Sequence, residues 1–546
     1  MLLECLAILI GSVGIVYSLK YLKNSFRSKK LIWMLPGPKK DPLLGHLKEF
    51  LLCDDATLFR KLRKWAREFY PVYNLCPSML VIAGNISGAE DFELVASTTK
   101  NIGKGPIYTV FDRWLGNGLL TSTGEHWQTR RKILTPAFHF KILQQFVTIF
   151  NKETNNLVEV LRKECNKPET NIMPFITQFT LYSINETSMG VKLRSDNEED
   201  KSYCSAVHKI GHLMYQRVIK PWLYFHIPYY YMIPSGIEER SLIKHLHNFT
   251  NKVIKERSQN FKKFELPEDT DFNYSQTKKM AMLDILLNAK ENGLVDDEGI
   301  QNEVNTFMFE AHRAFVSGLF YMRSKGQLGV YGHDTTSMAI CFTIMLLASH
   351  RDVQELILQE INQILGESND QPTFNELQEL KYLERCIKEC LRIYPSVPFL
   401  SRVLEEDVVT SVGYTLPKGA IINIHIYDIH RDPKVYPDPE KFDPDRFLPE
   451  NCQNRHPFAY GKLWDLSKVV ISHFVSQRFA ILEMKAVLCG ILRNFILEPV
   501  DTPETINLVP AIVLRPEGGV IRKAFADSMG TFFLFCPKEP HPMPRQ

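Results

Sequence analysis

A helical period sustained over most of its length is what narrows the fold of this 546-residue chain furthest. From about Asp91, the segments DFELVAS, EHWQTRRKILTPAF, residues 175–189, HNFTNKVIKERSQNF, AMLDILLNAK, TTSMAICFTIMLLASH, VQELILQEINQIL and KYLERCIKECLRIY space apolar residues three and four positions apart. That spacing lines up one face of a helix. VYNL and MLVIAG read instead as a hairpin of strands. VLEEDVVTSVGYTLPKGAIINIHIYDIH and INLVPAIVLRPEGGVI read as strands and turns. The expected fold class is therefore mostly α with a small β portion. Strands do not alternate with helices and no GxGxxG occurs, which argues against a doubly wound nucleotide fold.

A formal charge of +3, with no long basic block, excludes a nucleic-acid binder. The eleven cysteines show no CxxC pair or regular spacing, so neither a disulfide framework nor a zinc site is expected. Cys386 and Cys390 stand one helical turn apart and read as small buried apolar residues. The first residues, MLLECLAILIGSVGIVYSL, form an apolar run just long enough to cross a bilayer. Lys20, Lys23, Arg27, Lys29 and Lys30 follow it, so the rest of the chain is expected on the cytosolic side. A cleaved leader would carry its basic residues ahead of the run. Residues 1–20 thus read as an uncleaved anchor and 21–38 as a basic, Pro-rich linker ending in Pro36-Gly37-Pro38. One large domain, residues 39–523, follows. The sequons at Asn85, Asn185, Asn248 and Asn273 would then go unused.

Separate pieces of this domain carry chemistry. In KECLRIYPSVP, Glu389 and Arg392 are three residues apart on a helix, a carboxylate–guanidinium pair that is common on solvated helices too. HRDPKVYPDPEKFDPDRF sets four prolines ahead of Arg446, a rigid stretch able to present that arginine to the pair. In GEHWQTRRKILTPAFHF, Trp127 and Arg131 lie one turn apart. An indole N–H and a guanidinium on one face suit the carboxylate of a flat cofactor, and a basic amphipathic helix reads the same way. Gly332, Asp334, Thr335 and Thr336 begin a strongly apolar helix, where polar groups can hold water beside a reacting centre or merely cap the helix.

Taken in order, WxxxR, GHDTTS, ExxR, FDPDRF and RHPFAY…QRFAILEMK resemble the cytochrome P-450 family of haem-thiolate monooxygenases. WLGNGLLTSTGEHW, RRKILTPAFHF, INETSMGV and FMFE…GHDTTS resemble more narrowly family 4, the microsomal fatty-acid ω-hydroxylase group with many insect members. The resemblance runs from the anchor to about Arg522. It implies haem b, molecular oxygen, electrons from a flavoprotein NADPH–cytochrome reductase, a lipophilic small-molecule substrate and the endoplasmic reticulum membrane. It implies that Trp127, Arg131 and Arg402 hold haem propionates. Glu389, Arg392 and Arg446 would form a buried charged triad, and Asp334 and Thr335 would deliver protons. Glu310 would stand where many members bond covalently to a haem methyl.

Two segments depart from the family pattern. Between Tyr460 and Gln477 the family carries FxxGxRxCxG, whose cysteine binds the iron. Here stands GKLWDLSKVVISHFVS, residues 461–476, with no cysteine. The ligand position falls on Phe474, so no metal-binding residue is expected. His473 is adjacent, and an imidazole lacks the electron push a thiolate supplies. Residues 311–331 separate Glu310 from Gly332, which the family joins directly. As helix they would add roughly 30 Å, so a bulge is expected, with Gly318, Gly326 and Gly329 supplying its turns. Both segments spare the frame beyond them, the pattern of retained or misjoined exon sequence. Residues 524–546 form an atypical tail. The reading is a monooxygenase by resemblance that cannot turn over as written. The alternative is a haem-free, membrane-anchored pseudoenzyme that binds lipids or partners.

Overall fold

The computed structural model describes residues 26–516 and 532–537, except 42–43, 79–80, 98–102, 139, 166–169, 192–196, 220–222, 224–225, 262–280, 313–334, 367–369, 461–470, 504, 507 and 511–513. The anchor expected at 1–20 lies outside these residues. Among the described residues no helix is long and apolar enough to cross a membrane.

Helices dominate. Those that position the site are α1 (Asp55–Glu68), α2 (Gly124–Leu134), α3 (Asp297–His312), α4 (Thr335–Ser349), α5 (Lys381–Ile393) and α6 (Ile471–Asn494). α4 is apolar on all sides, and every side chain from Ser337 to Ala348 is buried. A helix hydrophobic all round belongs at the centre of a large protein. α4 packs on α5, α6, the helix Met173–Ile184 and the strand Phe495–Pro499. α3 also packs on Met173–Ile184, so one helix contacts both α3 and α4. The bulge expected within 311–331 lies, from 313 on, outside the described residues. α5 ends at Ile393 because Tyr394 precedes Pro395, whose ring disfavours helical geometry in the residue before it.

The expected hairpin is β1 (Val72–Ser78) with β2 (Val81–Ile86), antiparallel and shifted in register near its turn. With β3 (Gly103–Lys104), β4 (Leu400–Val403) and β5 (Ile421–Ile424) it makes a five-stranded sheet in the order β1-β2-β5-β4-β3. Only the β2–β5 pairing is parallel. The linker end docks on this sheet, where the Asn74 N–H donates to the Pro36 carbonyl at 2.8 Å. Asn85 and Asn185 are buried, which leaves no room for a glycan on either. One contiguous apolar core extends from Ile32 to Leu514. The strand Phe532–Pro537, within the tail, pairs with Phe495–Pro499 and Thr170–Asn171. The architecture is helix-rich with a small sheet, in agreement with the expected class.

Candidate functional site

The structure brings Glu389, Arg392 and Arg446 together. Arg392 meets Glu389 in a bidentate pair, Nε to Oε2 at 2.7 Å and Nη2 to Oε1 at 2.8 Å, with both side chains fully buried. Such pairs persist in a core only when the remaining valences are met. Here Arg392 Nη1 donates to the His430 carbonyl at 3.0 Å and Nη2 to the Lys441 carbonyl at 3.3 Å. Glu389 Oε1 also accepts the Asp443 N–H at 3.0 Å. Arg446 stands 3.4 Å from Glu389 Oε1 and donates through Nη2 to the Asp438 carbonyl at 3.0 Å. The Pro-rich stretch supplies carbonyls to this cluster as much as it supplies its arginine.

Beside the cluster, the approach to the departing segment is fixed. Tyr460 is buried, donates its hydroxyl to the Lys388 carbonyl at 2.9 Å and stacks edge-on against Phe447. Phe458 packs edge-on against Phe92. His430, fully buried near Arg392 and Arg431, has its pKa pushed down to about 3 by burial and by those two cations, and stays neutral. The far flank is fixed too. Lys485 of α6 is almost fully buried and holds Glu384 of α5 at 2.7 Å, with Lys388 on the other carboxylate oxygen at 2.7 Å. Burial opposes ionisation of Glu384, but the two lysines prevail and hold its pKa down at about 2.

A second group behaves differently. Trp127 on α2 is buried, and its indole N–H finds no hydrogen-bond acceptor among the described residues. Arg131, one turn on, lies half-buried with its guanidinium 5.6 Å from that indole. Burial lowers its pKa from the usual arginine range, and among the described residues no carboxylate offsets this. A buried donor and a cation without a carboxylate partner among the described residues thus share one helix face, a pairing that an anion could complete. Arg402 is buried on β4, where Nη1 donates to the Ser401 carbonyl at 3.0 Å. Arg130, between Trp127 and Arg131, turns the other way towards Glu303 of α3, at 4.0 Å, while Glu303 accepts the Leu119 N–H at 3.1 Å.

Thr335 begins α4, and its carbonyl accepts the Ser396 hydroxyl at 2.8 Å, joining the start of α4 to the loop after α5. Asp334 lies outside the described residues. Glu310 is on the last turn of α3, its side chain likewise outside them. Phe474 and His473 fall in the first turn of α6, with side chains outside the described residues. Cys489, on the same helix, is fully buried, with its thiol pushed up to about 12 by burial. It lies about 22 Å beyond Phe474 at 1.5 Å per residue. Cys452 Sγ rests 3.7 Å from the Arg446 carbonyl oxygen. Among the described residues no group of three His, Cys, Asp or Glu side chains is placed to hold a metal ion.

A model of the cytochrome P450 family matches residues 35–322 and 326–461. The chain belongs to the cytochrome P450 family. Cytochrome P450 4c3 of Drosophila melanogaster is 35% identical over 529 residues, 94% of this chain and 92% of that protein. Cytochrome P450 4V2 of Homo sapiens is 34% identical over 523 residues, 94% of each chain. Probable cytochrome P450 4ac2 of Drosophila melanogaster is 40% identical over 437 residues, 80% of this chain and 79% of that protein. These relatives support the family 4 assignment. P450 membership implies haem, a redox partner and a monooxygenase acting on lipophilic substrates. The family match stops at Gly461, next to Tyr460.

Tested against a haem, the residues divide. The Trp127 donor and the Arg131 cation lack the anion that a propionate would supply, and so they fit. The segment 461–476 offers no thiolate, and so it does not. The Lys485–Glu384 clamp and the Arg130–Glu303 contact escaped the sequence reading. The only sequence signal for the first was the intact flank ILEMK, and for the second the doubled arginine in WQTRRK.

Proposed function

We propose that this chain has the body of a family 4-type microsomal monooxygenase of fatty acids or similar lipophiles, and that in this form it does not turn over. The observation that carries the proposal is the cysteine-free segment between Tyr460 and Gln477, bounded by flanks that the fold holds rigidly. A haem needs anchoring at its propionates and at its iron. Trp127, Arg131 and Arg402 are the residues for the first role, and Phe474 fails the second. A thiolate supplies the electron density that favours O–O cleavage, so its loss removes oxygen activation while leaving apolar binding possible. Asp334, Thr335 and Glu310 keep their proposed roles only where a haem is bound. Residues 1–20 are proposed to anchor the domain at the endoplasmic reticulum membrane, where an NADPH-dependent flavoprotein reductase would supply electrons.

The test is a carbon monoxide difference spectrum and a haem determination on the full chain purified in detergent after expression with added haem precursor. The expected spectrum lacks the thiolate-type band. A thiolate-type band overturns the proposal. A folded chain free of haem supports the pseudoenzyme form, and a bound haem without that band points to His473, which His473→Ala then tests. Sequencing the transcript across 309–332 and 460–477 tests the origin of the two segments. Their absence from the message would assign an intact cysteine loop, and with it activity, to the natural enzyme.

A further inference from the structure

A cleft of about 790 Å3 lies between α1 and the stretch from Tyr427 to Glu440. None of the site residues described above lines it. On its α1 side stand Arg60, Arg63 and Arg67, three and four positions apart and so on one helix face. Arg63 forms the buried floor. It pairs with Asp428 and donates through Nη2 to the ring nitrogen Nδ1 of the buried, neutral His425 at 2.9 Å.

The acids of the cleft are all committed. Asp428 is held by Arg63. Asp432 accepts the Tyr70 hydroxyl at 2.8 Å, and Glu440 accepts Arg431 Nε at 2.9 Å. Of the cations, Arg63 and Arg431 are committed with them, and the exposed Arg60, Arg67 and Lys434 are not. Arg60 donates only to the Thr57 hydroxyl, at 3.0 Å, and Lys434 lies 4.9 Å from the Tyr70 ring. Neither these two nor Arg67 forms an ion pair among the described residues, and all three are exposed at the cleft. The remaining walls include Ala56, Phe59, Ile506 and Leu508, which offer only apolar side chains. The volume is that of a small-molecule pocket. A cationic rim over an apolar wall recognises a negative head on a hydrocarbon body.

We propose that this cleft binds an anionic amphiphile, a carboxylate or phosphate head on a single aliphatic chain, with the head against Arg60, Arg67 and Lys434 and the chain against Phe59, Ile506 and Leu508. The site is separate from the haem-side residues and does not depend on whether the chain turns over.

The experiment uses the full chain and a photoactivatable lauric acid with a diazirine at its chain end, followed by peptide mapping. Labelling is expected within 55–70, 427–440 or 506–508. Arg60→Glu with Arg67→Glu, both exposed and outside the core, should reduce that labelling at least about tenfold. Lys64→Glu, exposed on α1 but not lining the cleft, should leave it unchanged. Competition by unlabelled laurate alone assigns the carboxylate head, and competition by lauroyl lysophosphatidic acid alone assigns the phosphate. Competition by both assigns an anionic head of either kind. Labelling confined to other peptides, labelling insensitive to the double reversal, or competition by neither lipid overturns the site.

Discussion

Arg392 and Arg131 are both arginines on helices that the sequence singled out, and the fold treats them oppositely. Arg392 is fully buried and bonded to a carboxylate and two backbone carbonyls, all supplied by the protein. Arg131 is half-buried beside an indole N–H with no acceptor among the described residues. A charge whose partners are internal holds the fold. A charge left partly desolvated, with no ion-pair partner among the described residues, is the kind a bound group could complete. The contrast between the two arginines stands without reference to any relative, and each of its halves can be broken independently.

The largest effect belongs to the scaffold. Arg392→Leu leaves Glu389 charged and buried without its bidentate partner, which should cost roughly 3–5 kcal/mol. Urea unfolding should show the loss, or the variant should fail to accumulate in folded form. A cost below about 1 kcal/mol would mean that the pair is not needed to hold α5 against the Pro-rich stretch. His430, whose carbonyl serves Arg392, gives the next effect. Its folded pKa of about 3 lies below the ordinary 6.5, so its contribution is complete above pH 6.5 and is lost as pH falls from there towards 3. At pH 5 that amounts to roughly 2 kcal/mol. His430→Phe should remove this acid limb while changing stability little at pH 7.5. An unchanged slope between pH 6.5 and 4 would show that His430 does not titrate as described.

The clamp between α5 and α6 comes third. Lys485→Met should cost about 1–2 kcal/mol at neutral pH, since it removes a charged hydrogen bond but leaves Lys388 on Glu384. The folded Glu384 pKa of about 2 lies below the ordinary 4.5. Its stabilisation is therefore present above pH 4.5 and lost as pH falls towards 2. In the variant that window should narrow from its acid end, as Glu384 returns towards 4.5. Thermal melts at pH 3 and pH 7 would read the difference, and equal losses at both would mean that Lys485 acts through packing alone.

The sequence disclosed these elements unequally. The helices were legible because burial imposes a three-to-four period, and α4 stood out by having no polar face at all. Glu389, Arg392 and Arg446 were legible because one pair sits at helical spacing and prolines stiffen the approach of the third. Lys485 meeting Glu384 was not, since 101 residues separate them and a long-range ion pair leaves no periodic trace. The carbonyls of His430 and Lys441 were hidden for a related reason, because a backbone acceptor does not depend on which side chain it carries. At the departing segment the fold adds a detail that composition concealed. Its last six residues, Ile471 to Ser476, continue α6 in place of a loop.

The smallest effect on stability tests the other half of the comparison. Arg131→Gln removes a cation that no carboxylate among the described residues neutralises, so folding should lose at most about 0.5 kcal/mol, the range of surface changes away from such networks. Desolvation already lowers the Arg131 pKa, so neutralising it could even stabilise slightly. Binding should respond in the opposite sense. With no iron ligand in 461–476, any affinity for a porphyrin rests on its propionates and its apolar face. Tryptophan fluorescence quenching by protoporphyrin IX should therefore weaken about tenfold in Arg131→Gln, the worth of one charge-assisted contact. Equal quenching in both proteins would place Arg131 among solvated surface charges and leave the free N–H of Trp127 without an external partner. A large loss of stability instead would move Arg131 into the scaffold beside Arg392, and the distinction between the two arginines would fail.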